Sequence, residues 1–204
     1  MDLPLLLDIS KSNGIPIIFK VGKGEIVYLK DNSRSKDLFH LLLKADSVKS
    51  AEGQLFDYDL NIKMDSDKLS TIRQKIGYID PSGYLDVDKT IEDNARFYIN
   101  AIEIDARAAF TRFESYRKDL DITRGAKIKD LTPVEKICFK IALALAKNPI
   151  VLLMENPFNQ LDPASYKIPM EKIYNLIRTK GITYIASISD KSIMQTYPGR
   201  YIEL

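Results

Sequence analysis

Short apolar runs alternate along this chain with stretches whose apolar residues recur every three or four positions. Ile15 to Phe19 and Glu25 to Leu29 read as strands, and Asp37-Leu38-Phe39-His40-Leu41-Leu42-Leu43 follows as a helix, the strand-then-helix order of an α/β protein. A hairpin-like piece surrounds Gly53-Gln54-Leu55-Phe56-Asp57-Tyr58-Asp59. Lys75-Ile76-Gly77-Tyr78-Ile79-Asp80-Pro81 reads as a short strand stopped by proline. Residues 90–116 carry a helical pattern. Beyond them come a helix from Pro133 to Lys147, the strand Ile150-Val151-Leu152-Leu153-Met154, a helix from Ser165 to Lys180 and a strand from Ile182 to Ile188. An apolar run with no polar alternation suits a strand buried on both faces, as in a parallel sheet covered by helices. The expectation is one α/β domain over residues 1–204, with its core in 1–80 and 132–204 and a helical lobe in 81–131.

Composition narrows the partners. The 204 residues are 45% hydrophobic and 28% charged, enough for one well-filled core. Lys and Arg number 30 against 28 Asp and Glu, and the net charge of +2 is too small and too interspersed to attract nucleic acid or an acidic membrane. One cysteine, Cys138, lies in the apolar stretch Ile137-Cys138-Phe139. That rules out a disulfide framework, suggests a small buried hydrophobe and fits a reducing cytoplasm. Met1 to Asp8 has no basic leader region or cleavage site, and no apolar run approaches the roughly 20 residues of a membrane span. Any membrane role is expected to come through a partner.

The stretch Ile150-Val151-Leu152-Leu153-Met154-Glu155-Asn156-Pro157-Phe158-Asn159-Gln160-Leu161-Asp162-Pro163 resembles the Walker B and D-loop of ABC ATPases. Asp162 matches the D-loop aspartate, which sets Glu155 at the magnesium-linked aspartate and Asn156 at the catalytic glutamate. Other pieces follow in the family's order. Lys23-Gly24-Glu25-Ile26-Val27 resembles the strand before a Walker A loop, Ile76-Gly77-Tyr78-Ile79 the strand entering the Q-loop, and Thr90-Ile91-Glu92-Asp93-Asn94 the Thr-Val-x-x-Asn that follows it. Gly181-Ile182-Thr183-Tyr184-Ile185 is similar to the strand leading to the switch histidine. The resemblance covers nearly the whole chain. It implies a P-loop NTPase core with a mostly parallel sheet, an N-terminal antiparallel β part and a helical subdomain. Pro81 to Thr90 is also similar to the Gln-Ser-Gly-x-Leu segment of Mla/Mce-type ATPases, which implies lipid transport.

The chemistry at the matched positions is unusual. A Walker A loop uses glycines so that backbone N–H groups can wrap phosphates. The aligned stretch Lys30-Asp31-Asn32-Ser33-Arg34-Ser35-Lys36-Asp37 has none. The resemblance leaves Ser33, Ser35, Lys36 and Asp37 as candidate nucleotide contacts, with Lys36 facing the β- and γ-phosphates and Asp37 replacing the Ser/Thr that binds magnesium. The alternative is that Asn32, Ser33 or Ser35 caps the next helix. Glu155 keeps a carboxylate for magnesium, or is simply a strand exit. Asn156 cannot act as a base, since an amide accepts no proton at neutral pH, and general-base assistance of about 10²- to 10⁴-fold is lost. Pro81 stands at the Q-loop glutamine and Ser189 at the switch histidine. The only histidine, His40, sits on a helix flank. Leu131-Thr132-Pro133-Val134-Glu135 replaces the signature motif with a capping box, which keeps the helix but spends its positive end on Glu135.

Phosphoryl transfer depends on all these parts jointly. The resemblance therefore implies an ABC nucleotide-binding-domain-like subunit that is a non-catalytic scaffold or regulator, with ATP and magnesium as weak ligands and no assured cofactor. It implies a cytoplasmic protein held at the inner face of the membrane by a permease subunit, through Pro81, Tyr84 and Leu85. It also implies pairing as a homodimer or as a heterodimer with an active ABC ATPase. The alternatives are an ATP-hydrolysing subunit working with Lys36 and Glu155, and a stand-alone ligand-binding module.

Overall fold

The computed structural model describes residues 5–12, 15–43, 51–59, 65–80, 83–101, 105–158 and 161–204. Strands β1 (Leu5–Ser12), β2 (Ile15–Gly22), β3 (Ile26–Lys30), β4 (Ala51–Leu55), β5 (Tyr58–Asp59), β6 (Ile76–Ile79), β7 (Val151–Glu155), β8 (Thr183–Ile188) and β9 (Arg200–Ile202) form two sheets. The helices are α1 (Ser33–Leu42), α2 (Ser66–Lys75), α3 (Ile91–Ala101), α4 (Ala106–Asp119), α5 (Pro133–Ala146), α6 (Pro163–Lys180) and α7 (Ile193–Thr196). An antiparallel sheet runs β2-β1-β4-β5 and an all-parallel sheet runs β6-β7-β8-β3-β9. The architecture is α/β, as the apolar runs predict. Among the described residues no helix is long and apolar enough to cross a membrane.

Period-two alternation divides the core between the two faces of the parallel sheet. Val27, Leu29, Val151, Leu153 and Ile185 point to one face, where they meet Leu38, Phe39, Leu41 and Leu42 of α1 and the inward residues of the antiparallel sheet. Tyr28, Leu152, Met154, Tyr184 and Ala186 point to the other, against α5, α6 and residues of α3 and α4. Phe113 of α4 meets Phe139 of α5 edge-on, with ring centroids 5.8 Å apart. The residues expected to form the helical lobe thus pack onto the same core as β7 and β8.

Caps decide where the helices begin and end. α1 starts at Ser33, four residues before the apolar pattern suggests, because Asn32 caps it in a box with Ser35. α6 likewise starts early, capped by Asp162. It stops at Gly181, whose φ of 63° is left-handed, with Ile182 N–H donating back to Ile177 O at 3.1 Å. Gly53 allows β4 to approach β1 closely: a Cβ there would lie 2.1 Å from Asp8 O. The sequence reading did not find α2, and among its residues only Ile72 is buried.

Lys147, the C-cap of α5, ties α2 to this frame. Its ammonium donates to Arg73 O and Ile76 O, both at 2.9 Å, so it meets the negative end of α2. Burial pushes the Lys147 pKa down to about 8. Lysine in an unfolded chain titrates near 10.4, so the unfolded state holds more protons between these values and stability rises with pH across that window. Lys140, also pushed down by burial, adds to the slope, while buried tyrosines such as Tyr28, pushed up by desolvation, oppose it above pH 10. Urea denaturation between pH 8 and pH 9.5 is expected to show stability rising by on the order of 1 kcal/mol per pH unit. Lys147→Met is expected to flatten much of that rise. An unchanged slope in the variant would show that Lys147 is charged throughout.

Candidate functional site

The carboxyl ends of β7, β8 and β3 lie side by side, the edge at which open α/β sheets bind ligands. Each strand delivers a polar residue there. Asp31 follows β3, with its N–H donating to Ile188 O at 3.1 Å. Glu155 ends β7 and Asn156 follows it with a φ of 39°, a left-handed conformation that asparagine tolerates. Ser187 lies in β8 and Ser189 just beyond it.

These side chains bond to one another. Asn156 Nδ2 donates to Asp31 Oδ2 at 2.6 Å and to Ser189 Oγ at 2.7 Å, and Ser189 Oγ donates to Asp31 Oδ2 at 3.4 Å. The Asn156 backbone N–H donates to Ser187 Oγ at 3.0 Å. Both bonds from the amide nitrogen are short, and the one to Asp31 is strengthened by its carboxylate acceptor. Beside this cluster Lys36 Nζ stands 3.6 Å from Glu155 Oε1, and Tyr78 Oη donates to Glu155 Oε2 at 2.8 Å. Burial, aided by that bond, raises the Tyr78 pKa and keeps the phenol protonated.

The turn from β3 into α1 consists of Asp31 and Asn32 alone. Asn32 Oδ1 takes the Ser35 N–H at 2.9 Å, and Ser35 Oγ donates to Asn32 O at 2.8 Å. Ser35 is fully buried in this cap, whereas Ser33, Lys36 and Asp37 are exposed on the first turns of α1. Asp31 Oδ1 is buried without a hydrogen-bond partner. A magnesium-bound triphosphate does not fit this set. The turn offers no glycine cradle, the cap has already taken a helix N–H, and a phosphate would meet the carboxylate of Asp31.

A groove opens elsewhere, beside α3. Asn94 Oδ1 accepts the Asp86 N–H at 2.9 Å, and its Nδ2 donates to Asp86 O and Thr90 O, both at 3.0 Å. Thr90 caps the same turn, accepting the Asp93 N–H at 3.1 Å. The Thr90 to Asn94 pattern thus fixes the segment that carries Tyr84 and Leu85. Leu85 packs on the core, while Tyr84 is 85% exposed and Phe97 is 76% exposed. Pro81 lies outside the described residues.

No family model matches the chain. Among curated proteins it is 27% identical over 189 residues to the cell division ATP-binding protein FtsE of Mycobacterium tuberculosis, covering 91% of this chain and 81% of that one. It spans about half the length of the methionine import ATP-binding proteins that it also matches. The solved structure of cbiO1 from Clostridium perfringens, part of the ABC transporter complex cbiONQ, superposes with a TM-score of 0.79 at 20% identity, over 95% of this chain and 82% of that one. The ATP-binding cassette MJ0796, solved as a dimer bound to ADP and Pi, gives 0.76 at 20% identity, over 98% and 93%. The fold is that of an ABC ATPase. Homologues and structural neighbours together support the family of ABC transporter ATP-binding subunits.

On an ABC ATPase fold the matched positions take definite places. Lys36, Glu155, Asn156 and Ser189, which the sequence reading singled out, lie together at one edge of the parallel sheet. Thr132 caps α5, accepting the Glu135 N–H at 3.2 Å and donating to Glu135 Oε2 at 2.8 Å, while Glu135 Oε2 also accepts the Thr132 N–H at 2.8 Å. Asp162 accepts the Ala164 N–H at 3.3 Å as the cap of α6. Sequence reasoning missed the linking role of Asp31 and the Tyr78 bond to Glu155. The signal for Asp31 was a carboxylate directly after an apolar strand, at a loop otherwise expected to wrap phosphate.

Proposed function

We propose that this chain is the ABC-type subunit of a transporter complex in which it works as a non-catalytic scaffold or regulator. The observation that carries this reading is the bond of 2.6 Å from Asn156 to Asp31, which joins the catalytic-glutamate position to the Walker A turn where a nucleotide phosphate would lie. Ser189, at the switch position, closes the same cluster. The residues that would hold ATP and magnesium are engaged with one another, while the groove beside Tyr84 keeps an exposed aromatic face. The reading assigns Lys36, Ser35, Ser33, Asp37 and Asp162 to structure instead of nucleotide contact, and Glu155 to the ion pair with Lys36 instead of magnesium.

In this reading the groove of Tyr84 and Leu85 receives a segment of a membrane permease, and the chain sits at the cytoplasmic face through that partner. It pairs with a second copy or with an active ABC ATPase that supplies the hydrolysis. The narrower proposal, a lipid-trafficking Mla/Mce-type complex, rests on the sequence pattern Ser82-Gly83-Tyr84-Leu85. Affinity purification of the tagged chain from detergent-solubilised membranes tests the main reading. The expected result is stoichiometric recovery of one integral membrane protein, with phospholipid bound to it if the narrower proposal holds. Recovery of the chain alone, from membranes and from the soluble fraction, would contradict the transporter role.

A further inference from the structure

The segment leading into α3 borders two spaces. Tyr84 and Asp86 line the groove described above, Gly83 and Val87 line a second cleft of about 400 Å³, and Leu85 touches both. One wall of that second cleft is a stripe of α5, where Pro133, Lys136, Ile137 and Lys140 recur at the three- and four-residue spacing of a helix face. Pro157 and Leu161, from the stretch between β7 and α6, complete the lining with Ile79 and Ile128.

The chemistry of this lining is one-sided. It holds no aromatic ring, hydroxyl, amide or carboxylate side chain, and its polar side chains are those of Lys136 and Lys140. Lys140 is committed, since it donates to Asp80 O at 2.8 Å and the Asp80 charge acts on it. Lys136 is not. Among the described residues no carboxylate pairs with it, and its neighbour Glu135 is turned onto the Thr132 cap. The apolar members also have surface to spare. Leu85, Ile137 and Leu161 are only partly buried against the core, and Val87 is 51% exposed.

We propose that this cleft binds a fatty acid, with the chain laid along Leu85, Val87, Ile137 and Leu161 and the carboxylate held by Lys136. A saturated chain asks of the wall only apolar contact, and each methylene removed from water adds to affinity. A peptide would bring backbone N–H groups, for which the lining has no side-chain acceptor. An aromatic ligand would find no ring to stack on. The head is anionic because both charges on the wall are positive. A cleft of this size falls within the roughly 300–1,000 Å³ usual for small-molecule sites. It is open to water on one side, so Lys136 orients the head while the chain supplies most of the affinity. The site lies within one chain and needs neither nucleotide nor permease.

Titration of the full chain with decanoate below its micelle concentration, followed by NMR of labelled Ile, Leu and Val methyl groups, tests the site. Saturable shifts are expected at Leu85, Val87, Ile137 and Leu161, with Ile18 and Ile168, exposed elsewhere on the surface, unmoved. Octanoate is expected to bind roughly three- to tenfold more weakly, short of the roughly fifteenfold that two fully buried methylenes give. Lys136→Met is expected to weaken decanoate about two- to fivefold and to leave decanol unchanged. Val87→Asp, at an exposed position, is expected to weaken decanoate about tenfold or more, because it sets a second carboxylate against the chain. Thermal melts of both variants check that the fold is intact. Shifts of similar size at Ile18 and Ile168, or shifts that do not saturate, would mean adsorption to any apolar surface and overturn the site. Equal loss of decanoate and decanol in Lys136→Met, or no loss of either, would overturn the fatty-acid assignment.

Discussion

Asn156→Glu leaves phosphate release at the level of a protein-free control. Restoring a carboxylate to the position of the catalytic base supplies a proton acceptor worth about 10²- to 10⁴-fold in a competent site. Here it lands against Asp31, to which Asn156 Nδ2 donates at 2.6 Å, and the two carboxylates repel. The variant is also expected to lose about 1–3 kcal/mol of stability, because a hydrogen-bonded amide shared by Asp31 and Ser189 is replaced by a like charge. The turn of Asp31 and Asn32 still offers no phosphate cradle, and Lys36 still faces Glu155. Steady-state phosphate release from wild type and variant, alone and with a co-purified partner present, checks this. Turnover by the variant alone at about 1 s⁻¹ or more, the range of ordinary enzymes, would mean that Asn156 was the only obstacle.

If a permease docks in the groove as proposed, Tyr84→Ala is expected to weaken that association by about 1–3 kcal/mol, roughly five- to 150-fold, as loss of an aromatic anchor does. Stability should hardly change. Tyr84 is 85% exposed and its segment is held by Asn94 and by the Leu85 side chain, so truncation costs the fold within about 0.5 kcal/mol. Binding by calorimetry, paired with a thermal melt of the same samples, separates the two effects. Early melting would assign Tyr84 to packing, and unchanged affinity would move the partner to another surface.

The strands and helices most legible in the sequence were those with the strongest periodicity. Ile150 to Met154 could be read as a doubly buried strand because nothing polar interrupts it, and β7 occupies that place between β6 and β8. α5 was readable from both ends, since Thr132, Pro133 and Glu135 are a complete start signal and the structure forms the predicted box. α2 was not legible, because its only buried residue is Ile72 and its start depends on the Asp65 cap. At the candidate site the positions were legible but the bonding was not. Glu155, Asn156, Ser189 and Lys36 could each be placed by motif order. That Asn156 would bridge Asp31 and Ser189 depends on the left-handed turn after β7 and on the β3 to β8 neighbour relation, both products of the tertiary fold. The exposure of Tyr84 against the partial burial of Leu85 also separated two residues that the sequence treats alike.

Isothermal titration of the purified chain with ATP and magnesium tests the closed site most directly. Since Asn156 and Ser189 are bonded to each other and to Asp31 Oδ2 and the Asn32 cap occupies the start of α1, no saturable heat is expected up to millimolar nucleotide, an affinity weaker than about −4 kcal/mol. A micromolar dissociation constant, about −8 kcal/mol, would show that the turn before Lys36 opens to hold phosphate and would contradict the account.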